Sequence, residues 1–425
     1  MFNGFSEEKI SDLLALYLTP SQTISHQERL HGRQPQLDSI RRALRSPGRH
    51  VFIYGDRGVG KTSLAKTAAF IAQPTDQPLA LIACNQAGAF SDFVQDIAKK
   101  LYPDGVTIDR YSETTSRKLS LGPVEVGKTK SLEKGVIPPV VTINDAVNLI
   151  DAVAERYSYE PVVIIDEFDQ LDNPDDMKLF ADLIKQVSDQ EIGIRFIFCG
   201  IGASLEELIG VHLSTDRYLT PIELEPLKHE ARWAILEEAA KAFEIEIDQE
   251  TIMRIGHISD GFPYYVHLIG EELIWAMHEE KTETLSSTVE LFHTAVTRAI
   301  ETSYTSLKTA YNVAIRKYKN SDQFEEVLWA IADGKNFVRP TEEIYNDSYI
   351  PIMRKLDKNP LERNTFSQRM NSLKRDGHGK IIQSPRRSWF TFSENIVRGY
   401  VRLRAEKAGI FFGPDHHFGK SELKR

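Results

Sequence analysis

The sequence predicts an α/β core, a parallel sheet with helices on both faces. An α-helical segment follows it, and then a smaller unit of helices and two short strands. Three observations predict this. Five short apolar runs alternate with helical stretches through the first half of the chain. A glycine-rich run, GDRGVGKTS, follows the first of them and opens a helix. Beyond Lys228 the pattern becomes purely helical until two alternating runs appear near the end.

The five runs are His50–Tyr54, Leu79–Cys84, Val162–Ile165, Ile194–Cys199 and Ile222–Leu224. Each is β-branched or aromatic and bounded by Gly, Pro or Asp, as expected of parallel strands covered on both faces. Helices are expected over Thr62–Ala72, Ser91–Tyr102, Ile143–Tyr157 and Asp175–Gln190. The boundaries follow: a helical lead-in at 1–30, the α/β core at 31–226, a helical domain at 227–320 and a basic domain at 321–425. Within the core, residues 103–142 form a long Ser-, Thr-, Gly- and Lys-rich insertion that reads as either disordered or functional.

Composition excludes several classes. No apolar run reaches the roughly 20 residues needed to span a bilayer, and the acidic, amphipathic start is not a secretory signal. Cys84 and Cys199 lie in apolar runs and read as buried small hydrophobes of a reducing, cytoplasmic compartment. His416 and His417 form a pair without metal-ligand spacing and read as a solvated tail. The net charge of −9 is uneven. From Ala314 onward there are 22 Lys and Arg against 14 Asp and Glu, a net +8, while the rest carries −17. The basic end implies either an anionic partner or docking on the protein's own acidic body.

Gly55–Ser63 is a complete G-x-x-x-x-G-K-[ST] P-loop in the strand-to-helix setting that confirms it. Gly55, Gly58 and Gly60 let backbone N–H groups turn toward phosphate oxygens, with Val59 and Ser63 completing the cradle. Lys61 would reach the β- and γ-phosphates of ATP, and the Thr62 hydroxyl would ligate Mg2+. About 100 residues on, VVIIDEFDQL ends an apolar strand in Asp166 and Glu167. Asp166 would hold Mg2+ through water, and Glu167 would orient the attacking water. The expected catalytic residues are Glu167 and Lys61.

Near the end, NTFSQRMNSLKR places Phe366, Met370 and Leu373 on one stripe of a helix, with Gln368, Arg369, Asn371 and Lys374 elsewhere on it; Gly377 is expected to end it. KIIQ and SWFTF then flank Ser384–Arg387 as two strands. Helix, strand, basic turn, strand is the order of a winged helix. Gln368, Arg369 and Lys374 would face double-stranded DNA, and Arg386 and Arg387 would meet phosphates. A winged helix that packs on its own core or binds protein is the alternative.

From Ile24 to Arg404 the chain resembles AAA+ and signal-transduction (STAND-type) P-loop ATPases. It is similar in particular to the origin-recognition and Cdc-type initiator ATPases and their prokaryotic relatives. Beside the two phosphate-site motifs, HGRQPQLDSIRRAL resembles the box that precedes the first strand and touches nucleotide, which implies that role for Arg33. DGFPYYVHLIGEEL resembles the lid segment, and its Gly261-Phe262-Pro263 matches the signature whose proline contacts adenine, which implies that role for Pro263. Arg217 sits where such proteins carry an arginine finger for a neighbour's γ-phosphate; a surface arginine paired with Glu223 is the other reading. Two departures, no sensor arginine near Tyr264 and no asparagine in CGIGAS, favour the STAND-like branch and put ring-type turnover in doubt.

The resemblance implies an ATP-hydrolysing switch that couples nucleotide state to homo-oligomerisation and DNA binding. The alternative is a regulatory STAND-type subunit of an antiphage defence or transposition system. Such a subunit would act through an effector protein such as a nuclease or transposase. A metabolic kinase is disfavoured, because a helical lid and basic tail are superfluous for it.

Overall fold

A computed structural model describes residues 4–23, 27–74, 79–102, 104, 136–211, 215–282, 284–316 and 321–412. The insertion predicted at 103–142 lies outside the described residues except for 104 and 136–142, and the His416-His417 pair lies wholly outside them. The chain forms two compact units: residues 23–55 with 61–224, and residues 1–22 with 56–60 and 225–425.

The first of these is built on a five-stranded parallel sheet: β1 (His50–Tyr54), β2 (Ala80–Ala83), β3 (Val162–Asp166), β4 (Arg195–Gly200) and β5 (Leu219–Glu223). Their order is β2-β3-β4-β1-β5. The predicted helices appear as Lys61–Ala72, Phe90–Leu101, Ile143–Ala154 and Pro174–Asp189. β3 and β4 are buried along their whole length, as the near-continuous apolar runs require. An aromatic cluster fills one face: Phe168 meets Phe52, Phe180 and Phe198 edge-on at 5.2–5.7 Å.

The last strand starts earlier than the predicted Ile222–Leu224. Pairing with β1 runs from His50–Leu219 to Tyr54–Glu223. It includes Pro221, which an edge strand tolerates because one side needs no donor.

In the other unit, helix Glu7–Tyr17 turns Ile10 and Leu14 inward and packs on helix His229–Phe243. The helix of the N-terminal lead-in is thus part of this unit's core. The stretch 286–319, open between one helix and two, forms two: Val289–Thr302 and Thr305–Ile315. The break is held from outside, since Tyr304 N donates to Tyr264 Oη at 3.0 Å.

The C-terminal part begins with helix Ser321–Ala332 and β6 (Arg339–Pro340). A continuous helical stretch follows, made of Thr341–Glu343, the π-helical Ile344–Tyr349 and Ile350–Lys355. Pro351 accounts for the π turn: it lacks an N–H and its ring would press on the carbonyl four residues back. The helix widens there, and Ile350 N donates to Tyr345 O.

Helix Arg363–Leu373 comes next, then β7 (Ile382–Gln383) and β8 (Trp389–Phe392), and helix Ile396–Lys407 closes the unit. The three strands form an antiparallel sheet, β6-β8-β7. β6 is only two residues long and carries no alternating pattern, so sequence periodicity misses it. Helix Arg363–Leu373 is capped at Lys374, before the expected Gly377, and the left-handed glycine is Gly379 (φ 67°).

Candidate functional site

The phosphate loop bridges the end of β1 and helix Lys61–Ala72. Gly60 has φ 99° and open space where a Cβ would lie. Backbone conformation alone therefore demands glycine there. Val59 is fully buried and anchors the loop. Lys61 Nζ donates to Gly55 O at 2.9 Å, which folds the ammonium back over the loop it serves. Gly55, Lys61, Thr62 and Ser63 thus sit around a helix start whose N–H groups and dipole favour anions.

Thr62 Oγ1 donates to Asp166 Oδ2 at 2.6 Å, although 104 residues separate them. β3 carries Asp166 to its carboxyl end, and the parallel sheet brings that end beside the loop. Glu167 N donates to Asp166 Oδ1 at 2.9 Å. Asp166 is buried to 9% exposure and its oxygens meet neutral donors. The hydroxyl and carboxylate are hard oxygen donors of the kind Mg2+ uses together with water and substrate phosphates. Among the described residues, no group of three or more His, Cys, Asp and Glu gathers to hold a metal. The hydroxyl–carboxylate pair fits a cation shared with a nucleotide.

Glu167 has φ 54°, left-handed for a residue with a Cβ, and its side chain is exposed. Such strain costs about 1–3 kcal/mol and persists where the surroundings enforce it. Here the enforcing groups are the Asp166 hydrogen bond and fully buried Phe168 on either side.

Arg33 caps helix Gln34–Leu44 by position and is 5% exposed. Pro263 is the first residue of helix Pro263–His278, after buried Phe262. Arg217 ends a 3-10 turn before β5; it is exposed, with its guanidinium 5.0 Å from the Tyr218 ring centroid. Cys199 is fully buried, with Sγ 4.0 Å from Lys61 O, and burial holds its thiol pKa well above the ordinary value. It is a neutral packing group beside the loop, as the apolar run around it predicts.

In the C-terminal part, Gln368, Arg386 and Arg387 are exposed, and Arg386 lies 3.4 Å over the Trp389 ring. Arg369 instead turns inward: Nε donates to Gln323 Oε1 at 2.9 Å, and the guanidinium covers Phe324. Lys374 is half-buried, with Nζ 5.4 Å from the Phe390 ring centroid. The outer face of helix Arg363–Leu373 and its cap is instead Asn364, Gln368, Asn371 and Arg375.

Three of the C-terminal arginines are buried: Arg339 at 3%, Arg398 at 1% and Arg402 at 0% exposure. Arg398 Nη1 and Arg402 Nη1 meet the two oxygens of Asp260 at 3.0 and 2.9 Å. Burial pushes Arg398 down to about 9, opposed by the Asp260 carboxylate. Sequence reasoning missed this cluster. The signal was the i, i+4 spacing of Arg398 and Arg402, which puts both on one face of the closing helix.

Residues 29–197 match the family model for the AAA ATPase domain. Among solved structures, the Walker-type ATPase PABY2304 of Pyrococcus abyssi is 16% identical with TM-score 0.53, covering 90% of this chain and 99% of that one. Cdc6p from Pyrobaculum aerophilum is 15% identical with TM-score 0.45, covering 94% of this chain and 98% of that one. The Aeropyrum pernix ORC2 protein is 13% identical with TM-score 0.48, over 91% and 97%. No curated protein is similar enough to match. Among the described residues, no helix is long and apolar enough to cross a membrane. The P-loop and the Asp166 strand end both lie within the span that matches: residues 29–197 are similar to the AAA ATPase domain.

Proposed function

We propose that the protein binds ATP with Mg2+ at the phosphate loop and hydrolyses it slowly, as a switch. The observation that carries this reading is the 2.6 Å contact between Thr62 and Asp166 beside a complete P-loop. Lys61 and the loop N–H groups would bind the phosphates, and Thr62 and Asp166 would hold Mg2+, which supplies charge neutralisation for phosphoryl transfer when bound. Glu167 stands one residue beyond the metal-side carboxylate, exposed, where it can orient a water for in-line attack. In this reading Arg33 touches the nucleotide, Pro263 contacts adenine, and Arg217 completes the site of a neighbouring copy in a homo-oligomer. The proposed divisions are a lead-in at 1–30, an ATPase core at 31–226, a lid at 227–320 and a winged helix at 321–425. The protein would act in the cytoplasm.

In the same reading the winged helix carries nucleotide state to double-stranded DNA. Exposed Gln368, Arg386 and Arg387 support it, whereas inward-facing Arg369 and half-buried Lys374 support packing roles. A second reading has its own observation. Three buried arginines remove positive charge from the surface that would meet phosphates. This favours a regulatory STAND-type subunit that meets an effector protein, such as a nuclease or transposase of a defence or transposition system.

Lys61→Ala is expected to abolish ATP binding, and Glu167→Gln to keep binding while losing hydrolysis. Equilibrium binding of a fluorescent ATP analogue and phosphate release read the two steps separately. Normal turnover in Glu167→Gln would remove that residue from the mechanism. For the finger, Arg217→Ala mixed with Lys61→Ala should recover part of the activity in mixed oligomers. No recovery in confirmed mixtures would favour the surface reading.

A further inference from the structure

Three consecutive residues at the start of the closing helix meet three consecutive residues of the phosphate loop, all within the unit formed by residues 1–22, 56–60 and 225–425. Asn395 Nδ2 donates to Asp56 Oδ2 at 2.9 Å. Glu394 Oε1 lies 3.9 Å from Arg57 Nη1. A Cβ on Gly58 would lie 2.5 Å from Ile396 Cδ1 and 3.6 Å from Phe262 Cδ1, so Gly58 also serves close packing.

The gripping residues are themselves held. Ile396 O accepts from Tyr265 Oη at 2.7 Å, and a Cβ on Gly399 would lie 2.3 Å from the Tyr265 ring. One turn further, Arg398 and Arg402 hold Asp260, immediately before Gly261-Phe262-Pro263. The first turn of helix Ile396–Lys407 is therefore fixed to the segment that opens helix Pro263–His278, and its tip reaches Asp56–Gly58.

We propose that Glu394–Ile396 is a positioning element for the phosphate loop, with Asn395 as its main residue, and that it couples the C-terminal part to nucleotide affinity. This rests on the nucleotide site proposed above. The physical reason is charge and order. Asp56 is an anion in a loop that must receive anionic phosphates, and like charges oppose binding. The Asn395 amide pins that carboxylate, while Ile396 packs the bend at Gly58. Releasing Asn395 removes this restraint on the carboxylate and loosens the loop, so nucleotide binds more weakly although Lys61, Thr62 and Asp166 are untouched.

The test inverts the pair in the full chain. Asn395→Asp sets two carboxylates against each other and is expected to raise the Kd for a fluorescent ATP analogue about tenfold. Turnover at saturating ATP should stay within about twofold of wild type, since the reacting groups are unchanged. Adding Asp56→Asn recreates the hydrogen bond with donor and acceptor exchanged and should bring the Kd back within about twofold of wild type. Hydrogen exchange over residues 56–60 is read without nucleotide: it should quicken in Asn395→Asp and recover in the exchanged pair. An unchanged Kd in Asn395→Asp, or failure of the exchanged pair to restore it, overturns the proposal. Should Asn395→Asp melt early, Asp56→Ala decides by exchange alone, and unchanged protection there overturns the grip. A wild type that binds no ATP analogue defeats the nucleotide reading, while exchange still decides whether the grip exists.

Discussion

Two buried aspartates, one in each compact unit, are treated in opposite ways. Asp166 accepts from a threonine hydroxyl and a backbone N–H, both neutral. Asp260 faces two guanidiniums that have almost no exposure. In the proposed reading the first carboxylate is left to a cation that would arrive with substrate. The second has its charge met permanently, and its removal would strand two buried cations. The same side chain therefore reads as chemistry in one place and as structure in the other, according to what it faces.

The largest expected effect separates these roles. Asp260→Ala should cost about 3–5 kcal/mol of stability, because Arg398 and Arg402 stay buried without their anion. Urea unfolding checks this. Asp166→Asn should change stability by no more than about 1 kcal/mol, since the amide oxygen can accept from Glu167 N while its NH2 donates to the Thr62 hydroxyl, which can turn to accept. Equal losses in the two variants would break the comparison.

A smaller effect comes from a buried histidine. His50 in β1 accepts from Phe196 N through Nδ1 at 3.1 Å, and burial, aided by Arg195, lowers its pKa from 6.5 to about 3. The folded state keeps this imidazole neutral, while the unfolded chain takes up a proton below 6.5. Stability is thus complete above pH 6.5 and declines as pH falls toward 3. Between pH 7 and pH 5 the loss should be about 2 kcal/mol. His50→Gln should flatten that slope in unfolding curves; an unchanged slope would assign it to other groups.

Surface charge shows how far the phosphate site and the C-terminal part differ in legibility. The P-loop was readable because each position is dictated by phosphate geometry: Gly60 needs its left-handed φ, and Lys61 and Thr62 need the helix start. The sheet was readable from unbroken apolar runs such as VVIID. The C-terminal part was readable only as helices and strands. A net charge counts Arg339, Arg398 and Arg402 as surface, but all three are buried. Arg369 looked like a DNA-facing residue because its helix has a mixed circumference, yet Gln323 and Phe324 from a neighbouring helix claim it. Burial of a charge depends on a partner distant in sequence, such as Asp260 for Arg402, and local periodicity carries no record of such partners.

Two weaker predictions sharpen this. If the winged-helix reading holds, Arg386→Ala with Arg387→Ala should weaken binding to any duplex and reduce the log–log salt slope by about two. No salt-sensitive binding in the wild type would turn the reading toward a protein partner. Arg369→Ala should cost about 1 kcal/mol of stability through its lost packing and hydrogen bond, with little change in preference among DNA sequences. A changed preference without a stability loss would return Arg369 to the interface.

If Thr62 and Asp166 hold a cation for ATP hydrolysis, the Mg2+ dependence of ATP turnover in Asp166→Asn will report it. The variant is expected to keep nearly wild-type stability and to bind ATP, but to turn it over about 100-fold more slowly with a raised Mg2+ requirement. Turnover close to wild type at the same Mg2+ requirement would contradict it.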